Sequence, residues 1–355
     1  MVSVAQSASA PPDRRHLARA GHVALAFLLV AVALTSLATG PSGASLWGAI
    51  FKVMQGQELE RIEAVVLWDI RAPRTLMGVL VGAALAVSGA IMQGLFRNPL
   101  ADPGILGVSA GASLGAITAI VMSASLPVGL TLWLGPALLP IFAFVGAWVS
   151  MLILYRVATR AGRTSVATML LAGIALGALT AALSGILIFR ADDLQLRELT
   201  FWGLGSLSGA SWDKTLISGV VIVGATAYGL TLAHGLNALA LGEASAHHMG
   251  IPVQRLKMAA ILTVSAATGA AVAVSGGIGF IGIVVPHLLR LATGPDHQGL
   301  LLNAALLGAS LLLAADIVAR LVVAPAELPI GIITAVIGAP VFLWILLRSR
   351  SIVDL

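Results

Sequence analysis

The chain has 355 residues, of which 59% are hydrophobic and only 10% charged, with a mean hydropathy of +1.01. So little polar surface cannot cover a soluble globule of this size, which excludes that class and leaves a polytopic membrane protein. The formal charge of +5 comes from arginines dispersed between apolar runs, with no basic face for nucleic acid, and the absence of cysteine excludes disulfides and thiolate metal sites.

Residues 1–19 form a polar tail with Arg14, Arg15 and Arg19 just before the apolar run 20–38. No cleavage site follows that run, so it reads as an uncleaved first span with the tail in the cytoplasm. Residues 39–70 then read as an external segment carrying Glu58, Glu60, Glu63 and Asp69, with Trp47 and Trp68 as interfacial anchors. Two apolar runs come next, Pro73 to Leu95 and Gly104 to Met122, each long enough to cross a hydrocarbon core of about 30 Å. The knot Arg97-Asn98-Pro99-Leu100-Ala101-Asp102-Pro103 joins them, and its two prolines force a sharp turn. Gly78, Gly82, Ala86, Gly89 and Ala90 recur at three- and four-residue steps, which admits close neighbours and puts this helix in the middle of a bundle.

Further apolar runs at about 130–155, 165–188, 216–232, 258–275, 278–292, 300–319 and 328–347 bring the total to ten spans, all within one domain, 20–355. With the N-terminus inside, twelve of the 20 cations and five of the 15 acids fall on the internal side, +7 against −2 outside, as the positive-inside tendency requires. Gly82–Ile91 matches Gly269–Ile278 at eight of ten positions, on spans two and seven. An offset of five spans makes these two copies of an inverted five-helix repeat; shared small-residue composition is the plainer alternative. Gly276-Gly277 breaks the chain so abruptly that a tight or re-entrant turn is expected there.

Enzymatic readings fare poorly. Gly107-Val108-Ser109-Ala110-Gly111 fits a nucleophile-elbow pattern, but its glycines open a membrane helix instead of a strand-to-helix turn, and no histidine is singled out as a base. No phosphate-binding loop occurs, so ATP is not hydrolysed on this chain, and the seven histidines lack metal-ligand spacing. The polar insertion 241–257 lies on the internal side, where Glu243-Ala244-Ser245 and Gly250 bound a short helix outside the bilayer. Outside, Arg71, Arg74 and Arg320 stand at span ends; Asp316 and Arg320 are four apart, a spacing that also suits an internal ion pair. Arg197 lies in the external segment Ala191–Ser206, with Asp193 and Glu198 as possible partners.

The Arg-Ala-Pro-Arg start, the small-residue helix, Asn98-Pro99-Leu100-Ala101-Asp102-Pro103 and Gly107-Val108-Ser109 together resemble the permease subunits of bacterial importers for iron siderophores, vitamin B12 and haem. The resemblance runs on through Gly279-Phe280-Ile281-Gly282-Ile283-Val284-Val285-Pro286-His287 and Ala326-Glu327-Leu328-Pro329-Ile330-Gly331. It implies an all-α, ten-span type II ABC importer permease fold in the bacterial inner membrane, with both termini cytoplasmic. It also implies a homodimer served by two ABC ATPases, which hold the ATP and Mg, and by one periplasmic binding protein. This chain would carry no cofactor of its own and would not be an enzyme.

Residue by residue, the resemblance makes Leu241, Gly242, Glu243, Ala244, His247, Met249 and Gly250 part of the coupling helix that sits in the ATPase. It makes Asn98 and Leu100 the cytoplasmic gate, and Arg71, Arg74 and Arg320 the docking points for acidic residues of the binding protein, a task to which the guanidinium fork is suited. The segment 191–206 looks like the haem branch, with Arg197 near the pathway mouth and haem as cargo; siderophore and corrinoid cargo stay open. An ion-coupled secondary transporter is the rival from another class, since an inverted repeat suits it equally.

Overall fold

The computed structural model describes residues 15–40, 42–161 and 163–353. We label the apolar helices α1 (Arg15–Ala38), α2 (Ala72–Phe96), α3 (Val108–Met122), α4 (Leu138–Ala158), α5 (Val166–Phe189), α6 (Trp212–Thr231), α7 (Val253–Ser275), α8 (Ile281–Thr293), α9 (His297–Leu321) and α10 (Ile330–Val353). Among the described residues, seven helical stretches are long and apolar enough to cross a membrane, those of α1, α2, α4, α5, α6, α7 and α9. Three apolar stretches are shorter: α3, α8 and Ile330–Trp344 of α10. The expected tail lies outside the described residues as far as residue 14, and residues 15–19, read as tail, are already helical.

The chain is mostly helical. One two-stranded antiparallel ribbon, Thr159–Arg160 with Arg163–Thr164, departs from an all-α fold. The segment expected outside after α1 also holds more structure than a loop. Leu46–Met54 is a helix capped by Ser45, and from Arg61 the chain runs helically through a π-helical stretch, Val65–Arg71, into α2. That continuous run of 36 residues is about 54 Å long, so its start projects well beyond a 30 Å core. Lys52 on the capped helix donates to Glu63 at 2.9 Å, and that hydrogen bond holds the ammonium above its usual pKa.

Helix α2 is buried on nearly all sides, as its small-residue pattern predicts, and it packs against α6, α7, α8 and α9. Glycine is required at its crossings: a Cβ on Gly82 would run into the Gly308 carbonyl of α9, and one on Gly89 into the Gly282 carbonyl of α8. In contrast α5 is exposed along most of its length, with only Met169, Gly173, Thr180 and Ser184 buried.

The connections sort into two ends. At one end Arg74 meets Asp316, Trp212 Nε1 donates to the Trp68 carbonyl at 2.9 Å, and Ser206 N donates to the Ser275 carbonyl at 2.8 Å. At the other, Lys257 reaches Thr164 and Asn237 reaches Asp296. The first is the end the charge pattern assigns to the outside. Both α3 and α8 start from a left-handed residue, Gly107 (φ 74°) and Phe280 (φ 68°), after a stretch outside any α-helix.

Candidate functional sites

The three arginines expected on the outside are all turned inward. Arg71 is 3% exposed and donates to the carbonyls of Leu37, Ala38, Ser42 and Ala44 and to Ser42 Oγ, knitting the end of α1 to the start of α2. Arg74, also buried, pairs with Asp316 through Nη2 at 2.8 Å and with Glu327 through Nη1 at 2.8 Å. Arg320 pairs with Asp316 through Nε at 3.1 Å, four residues back on α9, and donates to the Thr39 carbonyl and Ser36 Oγ. Asp316 thus stands between two guanidiniums, and burial without such pairing would be costly. The spacing of Asp316 and Arg320 signals one of these contacts; nothing in the sequence points to Asp316 or Glu327 as a partner for Arg74, because no local spacing links them.

Beside this rim the segment 191–206, expected outside, carries a helix, Asp193–Gly203, opened by a capping box in which Gln195 N donates to Asp192 Oδ1 at 2.8 Å and Asp192 N to Gln195 Oε1 at 3.1 Å. Gln195 Nε2 also reaches the Ile120 carbonyl at 3.4 Å, which ties this helix to the end of α3. Arg197 is exposed, its guanidinium 5.8 Å from the Phe201 ring centroid, and it pairs with neither Asp193 nor Glu198. Next to it opens a cavity of about 630 Å³ whose wall includes Glu198, Trp202, Ser206, Lys214, Ser275 and Glu327; Arg197 itself is not in that wall. Here the chain crosses itself closely: Ile330 N donates to the Gly205 carbonyl at 2.9 Å and Gly331 N to the Leu204 carbonyl at 3.0 Å. Gly276, with φ 70°, makes the expected tight turn against the Trp202 carbonyl.

At the opposite end, Phe96 closes α2 through Arg97 in the left-handed region (φ 49°). Leu100 N donates to Asn98 Oδ1 at 2.9 Å, and Gly104 N donates to Asp102 Oδ1 at 2.7 Å, so two Asx-type turns lock the proline-bounded knot. Asn98 is exposed and Leu100 half-buried.

The insertion 241–257 forms the expected short helix, Glu243–His248, between Gly242 (φ 106°) and Gly250 (φ 80°). Both values lie where only glycine is unstrained. Leu241, Glu243, Ala244, His247, Met249 and Gly250 are exposed and Gly242 is half-buried; Ala246 alone of the helix is buried. Glu243 is held by Lys257 Nζ at 2.8 Å, and the same buried ammonium donates to the Thr164 carbonyl of the ribbon at 2.9 Å. The helix therefore stands off the bundle on a fixed base that reaches both α7 and the ribbon after α4.

The FecCD transport family matches residues 28–348. Haemin transport system permease protein HmuU of Yersinia pestis is 45% identical over 327 residues, 92% of this chain and 96% of that protein. Vitamin B12 import system permease protein BtuC of Klebsiella pneumoniae is 41% identical over 327 residues, 92% and 93% of the two chains. Among solved structures, an inward-facing metal-chelate type ABC transporter superposes with a TM-score of 0.80 at 31% identity, covering 92% of this chain and 98% of that one. With nearly its whole length matched in sequence and in fold, the chain belongs to the FecCD transport family.

Proposed function

We propose that this chain is the membrane permease of an ATP-driven importer that moves haem or a similar iron chelate from a periplasmic binding protein across the inner membrane. The observation that carries the reading is the exposed helix Glu243–His248, raised on two positive-φ glycines and braced by Lys257. A permease without a phosphate loop needs a surface through which a partner's ATP cycle moves its helices, and this one is rigidly joined to α7. In this assembly two copies of the chain pair, with the exposed faces of α5 and α10 as the apolar surface at hand. Each copy seats one ABC ATPase, which holds ATP and Mg, and one binding protein docks outside. Both termini are cytoplasmic.

Ten spans in two inverted halves complete the proposal. A short helix opened by a left-handed residue stands third in each five, α3 and α8, which supports duplication more strongly than the eight matched residues do. Asn98 and Leu100 serve as the internal gate, on a turn rigid enough to hold a side chain across a pathway. We assign docking to the rim of Arg71, Arg74 and Arg320. Their guanidiniums are already engaged, so partner carboxylates that bind them directly must exchange with Asp316, Glu327 or backbone carbonyls. Cargo is read from Arg197, an exposed cation with no acid partner among the described residues, which favours a carboxylate-bearing ligand such as haem; a siderophore or corrinoid is the second reading, favoured by the similarity to vitamin B12 permeases.

The test is co-purification. Glu243→Arg reverses the charge at the start of the exposed helix and sets it against Lys257, and Gly250→Val strains its end. Both variants should fold in the membrane but lose the co-expressed ATPase and transport. Full ATPase recovery and normal transport in both would remove this helix from the mechanism.

A further inference from the structure

Beside the knot 97–103 the structure holds a second cavity, of about 280 Å³ and lined by a few polar groups among apolar ones, that neither docking, gating nor coupling uses. Its wall includes Leu85 of α2, Asp102, Ser109 of α3, Thr268 of α7, Gly279 and Gly282. Leu85 is the fourteenth of the 25 residues of α2, so the cavity lies beside the middle of that helix, roughly 16 Å from its Phe96 end. Two stretches outside the α-helical ladders therefore meet at mid-depth, the one entering α3 and the one entering α8.

Three features of this cavity are unexplained by folding alone. Asp102 commits Oδ1 to Gly104 N at 2.7 Å, which accounts for one oxygen of its carboxylate; the other, Oδ2, faces Gly282. Among the described residues no lysine, arginine or histidine forms an ion pair with Asp102. Thr268 is 1% exposed, and its Oγ1 is buried with no hydrogen-bond partner among the described residues. Asp102 is half-buried with no cationic partner, Thr268 carries an orphaned hydroxyl, and both residues line this one cavity.

We infer that Asp102, Thr268 and Ser109, with the non-helical backbone at Gly277–Gly279, form a binding site for a hydrated monovalent cation. The donor set is entirely oxygen, which suits hard cations and not zinc or copper. One carboxylate balances one positive charge; a divalent ion there would leave a net charge in the bundle and lack the carboxylates that calcium sites gather. The volume leaves room for the ion and its retained waters. Irregular backbone lining a mid-membrane cavity is the setting in which transporters bind such ions. A cation here would fasten the knot 97–103 to α7 and α8 and so steady the segment that carries Asn98. This inference needs the chain to span a membrane and does not depend on cargo or coupling.

The test uses the purified full chain in detergent, with Na⁺ as the probe. Thermal unfolding is followed while NaCl replaces N-methylglucamine chloride at constant ionic strength, and binding of ²²Na⁺ is measured directly. A saturable rise in the unfolding midpoint with Na⁺, matched by bound ²²Na⁺, is expected. Asp102→Asn keeps the acceptor for Gly104 N but removes the charge, and should abolish both signals. Thr268→Val should lower the apparent affinity about tenfold, the loss of one hydroxyl contact to a charged group. If Na⁺ and N-methylglucamine act alike on the wild-type chain and no ²²Na⁺ is retained, the site is a protonated or water-filled carboxyl pocket and the inference is overturned. Should Asp102→Asn fail to fold, an unaltered affinity in Thr268→Val overturns it equally.

Discussion

Arg74 on α2 and Asp316 on α9 lie 242 residues apart in sequence and meet at 2.8 Å with both side chains almost fully buried. Arg320 approaches the same carboxylate from its own helix at 3.1 Å. Asp316 is the shared counter-ion of two guanidiniums, and its loss leaves both of them with only the half-buried Glu327 to balance them.

The first prediction follows from that arrangement. Asp316→Ala should destabilise the chain by about 3–5 kcal/mol, the cost of breaking a buried pair by removing one partner. The triple replacement Arg74→Met, Asp316→Leu, Arg320→Met removes the three buried charges together and leaves only the half-buried Glu327, which water reaches, so it should recover most of that loss. Unfolding midpoints of the purified variants in detergent decide the matter; equal midpoints for the single and triple variants would show that packing, not charge balance, is what Asp316 supplies.

A second prediction concerns the α2–α9 crossing. Gly→Ala within a helix ordinarily stabilises by about 0.4–1 kcal/mol, because it restricts the unfolded chain. At Gly82 the sign should reverse, since the new methyl would run into the Gly308 carbonyl, and overpacking of this kind costs about 1–3 kcal/mol. A methyl added at Gly224 on α6 would meet nothing within 4 Å, so Gly224→Ala serves as the control and should be neutral or mildly stabilising. Similar effects at the two positions would mean that α2 and α9 part easily, against the close approach seen here.

These same residues mark where the sequence was legible. Long apolar runs announce helices because a backbone in hydrocarbon must satisfy its own hydrogen bonds, and the expected runs fall largely on helical stretches, seven of which among the described residues are long and apolar enough to cross a membrane. The glycine steps of α2 announced a central helix, and Glu243 with Gly250 announced the short exposed one. The inward turn of Arg71, Arg74 and Arg320 was not legible beyond the Asp316–Arg320 spacing. A guanidinium at a span end satisfies a partner's carboxylate or its own chain's carbonyls equally well, and only the tertiary arrangement of Ser42, Thr39 and Glu327 decides. The two matching stretches also land differently: Gly82–Ile91 lies wholly within α2, whereas Gly269–Ile278 runs off the end of α7 at Gly276. Two glycines in succession ended the helix there, a local backbone effect that a match by residue identity does not register.

The third prediction separates cargo recognition from architecture. Arg197 is exposed and, among the described residues, its guanidinium meets only Phe201, a contact worth roughly 0.5–1 kcal/mol at such a site, so Arg197→Ala should leave folding, ATPase recovery and binding-protein docking close to normal. If its guanidinium meets a cargo carboxylate, a charge-assisted contact of about 1.5–3 kcal/mol is lost, and haem transport should fall roughly tenfold or more. The defect should be partly restored by Arg197→Lys, which keeps the charge but not the fork, and should shrink as salt rises, since exposed charges are screened over about 8 Å at physiological ionic strength. Arg71→Ala should behave oppositely: its guanidinium holds the Leu37, Ala38, Ser42 and Ala44 carbonyls, so stability falls for every cargo alike. Transport assays in proteoliposomes with haem and with a cargo that lacks carboxylates distinguish the two. Normal haem transport by Arg197→Ala at low salt would return Arg197 to an ordinary surface residue of the helix Asp193–Gly203, and the cargo would have to be recognised elsewhere along the pathway.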